Sequence, residues 1–251
     1  MPEQVNVIYM KTPLDQKSSV NDIRTRFDDD VERFTNLETG QLSTIDAPLT
    51  IELITRAAVA CNPKARVILD IGCGAGNFTL KLLQLINPLD CDLLDLSRPM
   101  LERANQRIAA VNKGKIRLYQ EDIRLVDLSA KQYDIIFAGA VLHHLRGDED
   151  WEQVFSKVYG LTAPGGSVWI TDLVRHENNA VERLMWDRYG KYLESVGGQD
   201  YRARVFDYID REDSPRSVTY QMALLRRVGF SEVDILHKNS CFAAFGAVKA
   251  G

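Results

Sequence analysis

The middle of the chain alternates short, largely apolar runs with segments in which apolar residues recur every three or four positions. The runs are typical of buried strands, and the spaced segments are typical of helices with one apolar face. The predicted strands lie at 66–70, 91–95, 115–119, 133–139 and 167–172. Strands that alternate with helices at this spacing predict a parallel sheet with helices on both faces.

The first sixty residues follow a helical pattern. Apolar residues within 23–34 recur every three or four positions and predict a helix that is capped by Asn21 or Asp22. A second helix is predicted from 46 to 61, and Pro48 is tolerated in its first turn.

The end of the chain mixes helical and strand patterns. The predicted elements are a helix at 179–195, a polar stretch at 199–215, a helix at 217–227, and strands at 232–237 and 242–248. The first of these helices ends there because Gly197-Gly198 follows it, and the last two strands can form an antiparallel pair at the sheet edge. The predicted fold class is therefore α/β, with a doubly wound, mostly parallel seven-stranded sheet, an antiparallel last strand and additional helices before and after its five parallel strands.

The composition is that of an ordinary folded protein, since 45% of the 251 residues are apolar and 26% are charged. These fractions exclude a disordered chain, collagen and a small disulfide-stapled scaffold. We expect no membrane span, because no apolar run approaches the roughly 18 residues that a span requires. The start of the chain lacks the basic and apolar segments of a secretory signal, so we expect a cytoplasmic protein.

The net charge and the spacing of the cysteines limit the kinds of substrate and metal site that we expect. Lys and Arg number 31 and Asp and Glu number 35, which gives a net charge of −4, and the longest basic cluster is Arg226-Arg227. Proteins that bind nucleic acid usually carry a basic excess or a basic stripe. We therefore expect a small-molecule substrate rather than nucleic acid. The four cysteines form no CxxC pair, which predicts buried thiols and no metal site.

The strongest motif lies at the end of the first predicted strand. Asp70 leads into the loop 72–76, in which every second residue is glycine, and a helix begins directly after it. Alternate glycines let a ligand lie against the backbone, and the start of a helix offers unpaired N–H groups. Asp95 ends the second strand, where a carboxylate can accept both ribose hydroxyls of a nucleoside. A nicotinamide fingerprint does not fit, because its third glycine would fall on Asn77.

Several segments together resemble the class I S-adenosylmethionine (SAM) dependent methyltransferases. They read D-I-G-C-G-A-G-N from Asp70, L-L-D-L-S-R-P-M-L-E-R-A from Leu93, E-D-I-R from Glu121, Y-D-I-I-F-A-G-A-V-L-H-H-L from Tyr133 and L-T-A-P-G-G-S-V-W-I-T-D from Leu161. The resemblance covers about 65–173 closely. It implies an enzyme that uses SAM and releases S-adenosyl-L-homocysteine (SAH). The chemistry of SAM is consistent with this resemblance. Carboxylates at the strand ends can bind its sulfonium and amino groups, and backbone N–H groups of the loop can bind its carboxylate.

The resemblance also assigns residues to the cofactor. These residues are Asp70, Gly72, Cys73, Gly74, Gly76, Asp95, Leu96, Met100, Asp122, Ile123, Ala138 and Gly139. Among them, Asp70 would orient the amino-acid part through water or the loop amides, and Asp95 would take the ribose. Asp122 would receive the adenine amino group, while Ala138 and Gly139 would flank the methionine portion.

Three histidines are candidates for catalysis. His143 and His144 follow the fourth strand and His176 follows the fifth, on the side that faces the substrate in this family. One of them could act as a general base. The alternative is that they only pack and form hydrogen bonds.

The acceptor is expected in the variable region after the fifth strand. Asp172, Tyr189, Arg202 and Arg204 could contact it there. The alternatives are a solvated strand-end acid for Asp172, a packing residue for Tyr189 and surface charges for the two arginines. The resemblance divides the single domain of 1–251 into an N-terminal helical lid (1–62), a cofactor-binding core (63–173), a variable acceptor lid (174–216) and a C-terminal helix with a strand pair (217–251).

Alternative functions stay open at this point. The segment R-F-D-D-D-V-E-R-F and the C-terminal region resemble carboxy-SAM synthase, a tRNA-modification enzyme that converts SAM with prephenate. That family has a serine-leucine pair where this chain has Gly74-Ala75, and Arg204 is the only rough match to its carboxylate-binding arginine. A non-catalytic SAM-binding subunit is the third hypothesis. We expect a monomer or a homodimer with a small-molecule acceptor and no membrane partner.

Overall fold

The computed structural model describes residues 11–36 and 41–251 and contains a seven-stranded sheet. The strands are β1 (Val67–Ile71), β2 (Asp90–Asp95), β3 (Ile116–Gln120), β4 (Tyr133–Gly139), β5 (Thr162–Leu173), β6 (Glu232–Asn239) and β7 (Phe242–Val248). The α-helices are α1 (Val20–Asp29), α2 (Val31–Thr35), α3 (Ala47–Cys61), α4 (Asn77–Leu83), α5 (Arg98–Ala109), α6 (Asp148–Leu161), α7 (Asn179–Glu212) and α8 (Val218–Val228). Residues 1–10, on which the expectation about a secretory signal partly rests, lie outside the described residues.

The order of the strands in the sheet is β3-β2-β1-β4-β5-β7-β6. Strands β1 to β5 are parallel, and β7 runs antiparallel to both of its neighbours. The predicted α/β fold class is thereby confirmed. Because β2 and β4 lie on opposite sides of β1, a crevice forms at the carboxyl ends of β1 and β4, which is where doubly wound sheets bind ligands.

Helices cover both faces of the sheet and bury its side chains. On one face, Trp151 of α6 belongs to the same buried cluster as Ile136 of β4. On the other face, Ile54 of α3 and Leu82 of α4 lie in a cluster with Phe137 of β4. Burial of one such side chain contributes roughly 1.5–3 kcal/mol, so these two layers hold the crevice in place.

The first helix begins earlier than the pattern predicts. The N-cap is Ser19 rather than Asn21 or Asp22, because Ser19 and Asp22 exchange hydrogen bonds in a capping box. The helical segment also breaks at Asp30, whose backbone φ of −104° separates α1 from α2.

The predicted break at Gly197-Gly198 is present, because both glycines have non-helical backbone angles. The helix nevertheless resumes after the kink, and the polar stretch that follows is helical as far as Glu212. Val205 and Ile209 of this second half are buried with the aromatic residues of the first half, and that packing outweighs the break. In the described part of the chain, no helix combines the length and apolarity needed to cross a bilayer.

Candidate functional site

The loop between β1 and α4 forms the floor of the site. Gly72, Gly74 and Gly76 all adopt positive φ angles of 63°, 50° and 81°. A Cβ atom on Gly72 would lie 2.6 Å from a methyl carbon of Val141, so only glycine lets this loop pass close to the residues after β4. A Cβ atom on Gly74 would meet no atom of the described chain within 4 Å, which leaves this part of the loop open to a ligand.

Asp95 ties the end of β2 to this loop. One carboxylate oxygen accepts a hydrogen bond from the backbone N–H of Gly74 at 2.8 Å, and the other accepts one from Ser97 at 2.9 Å. Burial raises the pKa of Asp95 to about 6. The side chain is therefore charged at neutral pH, at the position where a nucleoside would present its ribose.

Asp70 lies underneath the loop and lines none of the three cavities described below. It is completely buried and accepts a hydrogen bond from the hydroxyl of Thr79 at 2.7 Å. Burial raises the pKa of Asp70 to about 7. These contacts fit an indirect role, in which Asp70 and α4 support the loop from below.

Three neighbouring cavities follow the carboxyl edge of the sheet. The edge cavity is lined by Asp95, Leu96, Asp122, Ile123 and other residues near the ends of β2 and β3. The loop cavity is lined by Gly72, Cys73, Gly74, Met100, Gly139 and their neighbours. The helix cavity is lined by Phe34, Phe78, His143, Asp172, Tyr189, Tyr208, Asp213, Phe242 and others. His144 lines all three cavities, which therefore meet at this residue.

Helix α1 closes over the cavities. Ile23 lines the edge and loop cavities, and Phe27 lines the loop and helix cavities. Arg26 anchors the helix, because its guanidinium binds the carboxylate of Glu212 at 2.6–2.9 Å and also stacks 4.2 Å from the centre of the Phe27 ring. The backbone N–H of Ser18 adds a hydrogen bond of 2.9 Å to the end of α7.

Asp122 faces the edge cavity with its charge held by Arg124. Three nitrogens of Arg124, one of them backbone, donate to the Asp122 carboxylate at 2.6–3.0 Å. Burial opposes the charge, but these hydrogen bonds and the guanidinium outweigh it and lower the pKa of Asp122. The carboxylate is therefore a fixed hydrogen-bond acceptor beside Ile123.

Two histidines and two carboxylates meet at the inner end of the helix cavity. His143 binds Asp172 through both its backbone N–H and its Nδ1, while its Nε2 lies 3.7 Å from Oδ1 of Asp213. The Nδ1 of His144 lies 3.1 Å from the same oxygen. Burial opposes the charge on His143, but Asp172 and Asp213 outweigh it and raise the pKa of that ring to about 9. Burial and the neighbouring His143 lower the pKa of His144.

The remaining candidates, which are the catalytic candidate His176 and the acceptor candidates Tyr189, Arg202 and Arg204, divide into two groups. Tyr189 lines the helix cavity and its hydroxyl donates to the carbonyl of Ser43 at 2.8 Å. His176, Arg202 and Arg204 line none of the three cavities as far as residues 11–36 and 41–251 extend.

These three side chains are held elsewhere. His176 binds Glu182 at 3.0 Å, and Arg202 binds Glu194 at 2.6 Å. Arg204 lies 5.9 Å from the centre of the Tyr201 ring. Two cofactor candidates, Ala138 and Gly76, likewise stand in the walls behind the cavity lining.

Sequence reasoning missed Asp213 and the cavity-facing arginines. Asp213 directly follows the second half of α7, at the end of the stretch that was identified from the sequence only as polar. Arg26 and Arg33 line the helix cavity from α1 and α2. No motif marks Asp213, whereas Arg26 and Arg33 both belong to the R-F-D-D-D-V-E-R-F segment that resembles carboxy-SAM synthase. The helical spacing of Phe27 and Phe34 does show that this segment packs against the domain.

Comparison with known proteins agrees with this architecture. Residues 69–168 match the family model of the methyltransferase domain. The carboxy-S-adenosyl-L-methionine synthase of Helicobacter pylori (strain Shi470) is 27% identical over 180 residues, which cover 70% of this chain and 72% of that protein. An uncharacterized methyltransferase of Mycobacterium tuberculosis is 32% identical over 107 residues, which cover 43% of this chain and 50% of that protein.

A solved structure shows the same fold. Human N-acetylserotonin methyltransferase in complex with SAM superposes with a TM-score of 0.61 at 17% identity, over 93% of this chain and 60% of that chain. The chain thus spans about three fifths of the length of that structure. The resemblance to SAM-dependent methyltransferases is confirmed, and so is the resemblance to carboxy-SAM synthase.

Proposed function

We propose that this chain, which resembles methyltransferases in residues 69–168 and in its fold, transfers the methyl group of SAM to a small-molecule acceptor. The observation that carries the proposal is the meeting of three cavities at His144. Adenosine fits the edge cavity, the methionine part fits the loop cavity, and the acceptor fits the helix cavity. The 1–62 and 174–216 segments then serve as lids over the 63–173 core, and 217–251 completes the sheet.

The side chains of the first two cavities support SAM as the cofactor. Asp95 offers a charged acceptor to the ribose hydroxyls, and Leu96 and Met100 offer apolar contacts to the adenine side. Asp122 offers an acceptor to the adenine amino group. The open space beside Gly74, where a Cβ atom would meet no atom of the described chain within 4 Å, leaves room for the methionine part.

The walls of the helix cavity favour a planar or apolar acceptor. Phe27, Phe34, Tyr208 and Phe242 supply aromatic surface, and Arg33 adds a positive charge near the α2 side. Methyl transfer needs the acceptor atom in line with the S–CH3 bond at about 3 Å. As the nucleophile attacks the methyl carbon, the C–S bond breaks and its electron pair stays on sulfur, which yields neutral SAH.

The acceptor atom loses its proton at the inner end of the helix cavity. His143, His144, Asp172 and Asp213 are the titratable groups that line the cavity there. Helix α1 covers the junction of the cavities, and exclusion of water protects the sulfonium from hydrolysis.

Carboxy-SAM synthesis is the second candidate, and the named relatives favour it. Two observations weigh against it. The glycine loop carries Gly74-Ala75 instead of serine-leucine, and Arg204 stands outside the cavity lining. The two arginines that line the helix cavity are already paired, Arg26 with Glu212 and Arg33 with Asp30.

The test has two steps. Calorimetry should give a micromolar Kd for SAH that a tenfold excess of NAD leaves unchanged. The protein is then incubated with SAM and hydroxylated aromatic acceptors, or with SAM and prephenate, and products are identified by mass spectrometry. Detection of a methylated acceptor together with SAH supports the proposal. Detection of carboxy-SAM as the product shows that the second candidate function is the correct one. SAH binding without turnover of any acceptor leaves the non-catalytic subunit as the explanation, and absence of SAH binding overturns all three.

A further inference from the structure

We propose that His143, His144 and Asp213 bind a divalent transition-metal ion at the inner end of the helix cavity, where the ion ionises a hydroxyl group of the acceptor. The inference rests on the proposed methyl transfer and deepens it. The absence of ligand-spaced cysteines led us to expect no metal, but a site of this kind is assembled by the fold from distant segments.

The distances between the three side chains suit one ion. Nε2 of His143 and Nδ1 of His144 lie 3.7 and 3.1 Å from Oδ1 of Asp213, and the three ligand atoms lie within 4.8 Å of one another. Zinc bonds to imidazole nitrogen and carboxylate oxygen are about 2.0–2.2 Å long. Two such bonds at octahedral to tetrahedral angles place their ligand atoms about 2.9–3.5 Å apart, so a small movement of His143 completes the set.

The orientation of His143 is a second, independent observation. Its Nδ1 is bound to Asp172, a carboxylate with an exposed side-chain fraction of 0%. Metal-bound histidines usually donate their other ring N–H to a carboxylate, which fixes the tautomer and the ring orientation. Asp172 therefore leaves Nε2 of His143 as the nitrogen that faces Asp213.

The third observation concerns a polar atom without a partner. Nε2 of His144 is buried and has no hydrogen-bond partner among the described residues, while its Nδ1 contacts Oδ1 of Asp213 at 3.1 Å. Asp213 is only 2% exposed. A buried imidazole nitrogen without a partner is costly, and a cation bound among these side chains would let the ring act as a ligand.

The ligand set identifies the class of metal. Two imidazole nitrogens and one carboxylate oxygen suit Zn²⁺, Fe²⁺, Co²⁺ or Ni²⁺, whereas Mg²⁺ and Ca²⁺ prefer oxygen ligands. Three protein ligands also leave a coordination position open, as in catalytic zinc sites. All three side chains line the helix cavity, so the open position is accessible to the acceptor.

The proposed methyl transfer at the metal site needs no reactant other than SAM and the acceptor. The ion displaces the proton on Nε2 of His143 when it binds, and the acceptor hydroxyl then coordinates the ion and releases its proton to water. The resulting oxyanion attacks the methyl carbon of SAM. The C–S bond breaks with its electron pair on sulfur, and the products are the methyl ether and SAH.

The experiment uses the full chain after treatment with a chelator. Titration with Co²⁺ without oxygen should produce visible absorption bands that saturate at one ion per chain, and Zn²⁺ should abolish them by competition. His144→Gln and Asp213→Asn should each abolish the bands. Asp172→Asn should weaken Co²⁺ binding by tenfold to a hundredfold. His237→Gln is the matched control and should change nothing, because His237 binds Asp46 away from the helix cavity.

The outcomes separate the metal site from the proposed function, because SAH binding is measured by calorimetry on the same samples. A chain that binds SAH but gives no saturable Co²⁺ bands overturns the metal site alone. Co²⁺ binding that persists in His144→Gln also overturns the metal site, because the ion must then bind elsewhere. Failure of both SAH and Co²⁺ binding overturns the proposed function together with this inference. Thermal melting checks that each variant is folded, and a variant that fails to fold leaves Asp172→Asn as the deciding one.

Discussion

Replacing Asp95 by alanine should weaken the binding of SAH and should also destabilise the fold. Asp95 ends β2 at the carboxyl edge of the sheet and lines both the edge and the loop cavities. Its pKa is raised by burial to about 6, so the carboxylate is ionised at pH 7.5. It is the charged group best placed to accept the two ribose hydroxyls.

The magnitude follows from the hydrogen bonds that are lost. A hydrogen bond to a charged group contributes about 1.5–3 kcal/mol, and water partly compensates its loss in the variant. A net loss of about 1.5–4 kcal/mol corresponds to a tenfold to thousandfold increase in Kd, since 1.4 kcal/mol is a factor of ten. The fold loses the hydrogen bonds from the backbone N–H groups of Gly74 and Ser97 to the same charged group, so the free energy of unfolding should fall by a similar amount, about 1.5–4 kcal/mol.

Calorimetric titration with SAH and thermal melting of the same sample measure the two effects separately. Asp90→Ala is the matched control, because Asp90 lies at the opposite end of β2 and accepts a backbone hydrogen bond from Lys115 at 2.9 Å. This variant should melt at a lower temperature and keep the SAH affinity of the original chain. A lowered melting temperature with unchanged SAH affinity in Asp95→Ala would refute the reasoning, because Asp95 would then only support the loop.

Two further predictions rest on the same geometry. The affinity for SAH should fall as the pH drops through about 6, because protonation removes the charge of Asp95, and Asp95→Asn should flatten this dependence in calorimetry between pH 5 and 8. Gly139→Ala should lower the free energy of unfolding by about 1–3 kcal/mol in urea titration, because its Cβ would overlap the ring of Phe78, which lines two cavities. A Cβ atom on Gly160 of α6 would meet no atom of the described residues within 4 Å, so Gly160→Ala should instead raise the free energy of unfolding by about 0.5–1 kcal/mol. Equal effects of the two substitutions would contradict the close packing of Phe78 against Gly139.

The cofactor half of the fold could be predicted because its signals are local. The loop 72–76 needs positive φ angles at alternate positions, and glycine is the residue that adopts them readily. The apolar strands on either side are buried on both faces, so their composition marks them directly. The β4 strand at 133–139 was predicted with its observed bounds for this reason.

The acceptor half could not be predicted in the same way, because its contacts join distant segments. Gly197-Gly198 is a strong local signal for the end of a helix, and it does produce a kink. What the signal omits is the burial of Val205 and Ile209 on the other side of the kink, which depends on tertiary packing alone. A single sequence contains no pattern that reports this packing.

The continuation of α7 connects the lid to the chemistry of the acceptor. Its last residue, Glu212, binds Arg26 of α1, and the next residue, Asp213, faces the two histidines at the junction of the cavities. Under the proposed function, one of these adjacent carboxylates anchors the lid and the other sets the charge beside the acceptor. Both carboxylates lie at the end of the same helix, so movement of α1 away from Glu212 should also disturb Asp213. We therefore expect lid closure and acceptor activation to be coupled through the end of α7.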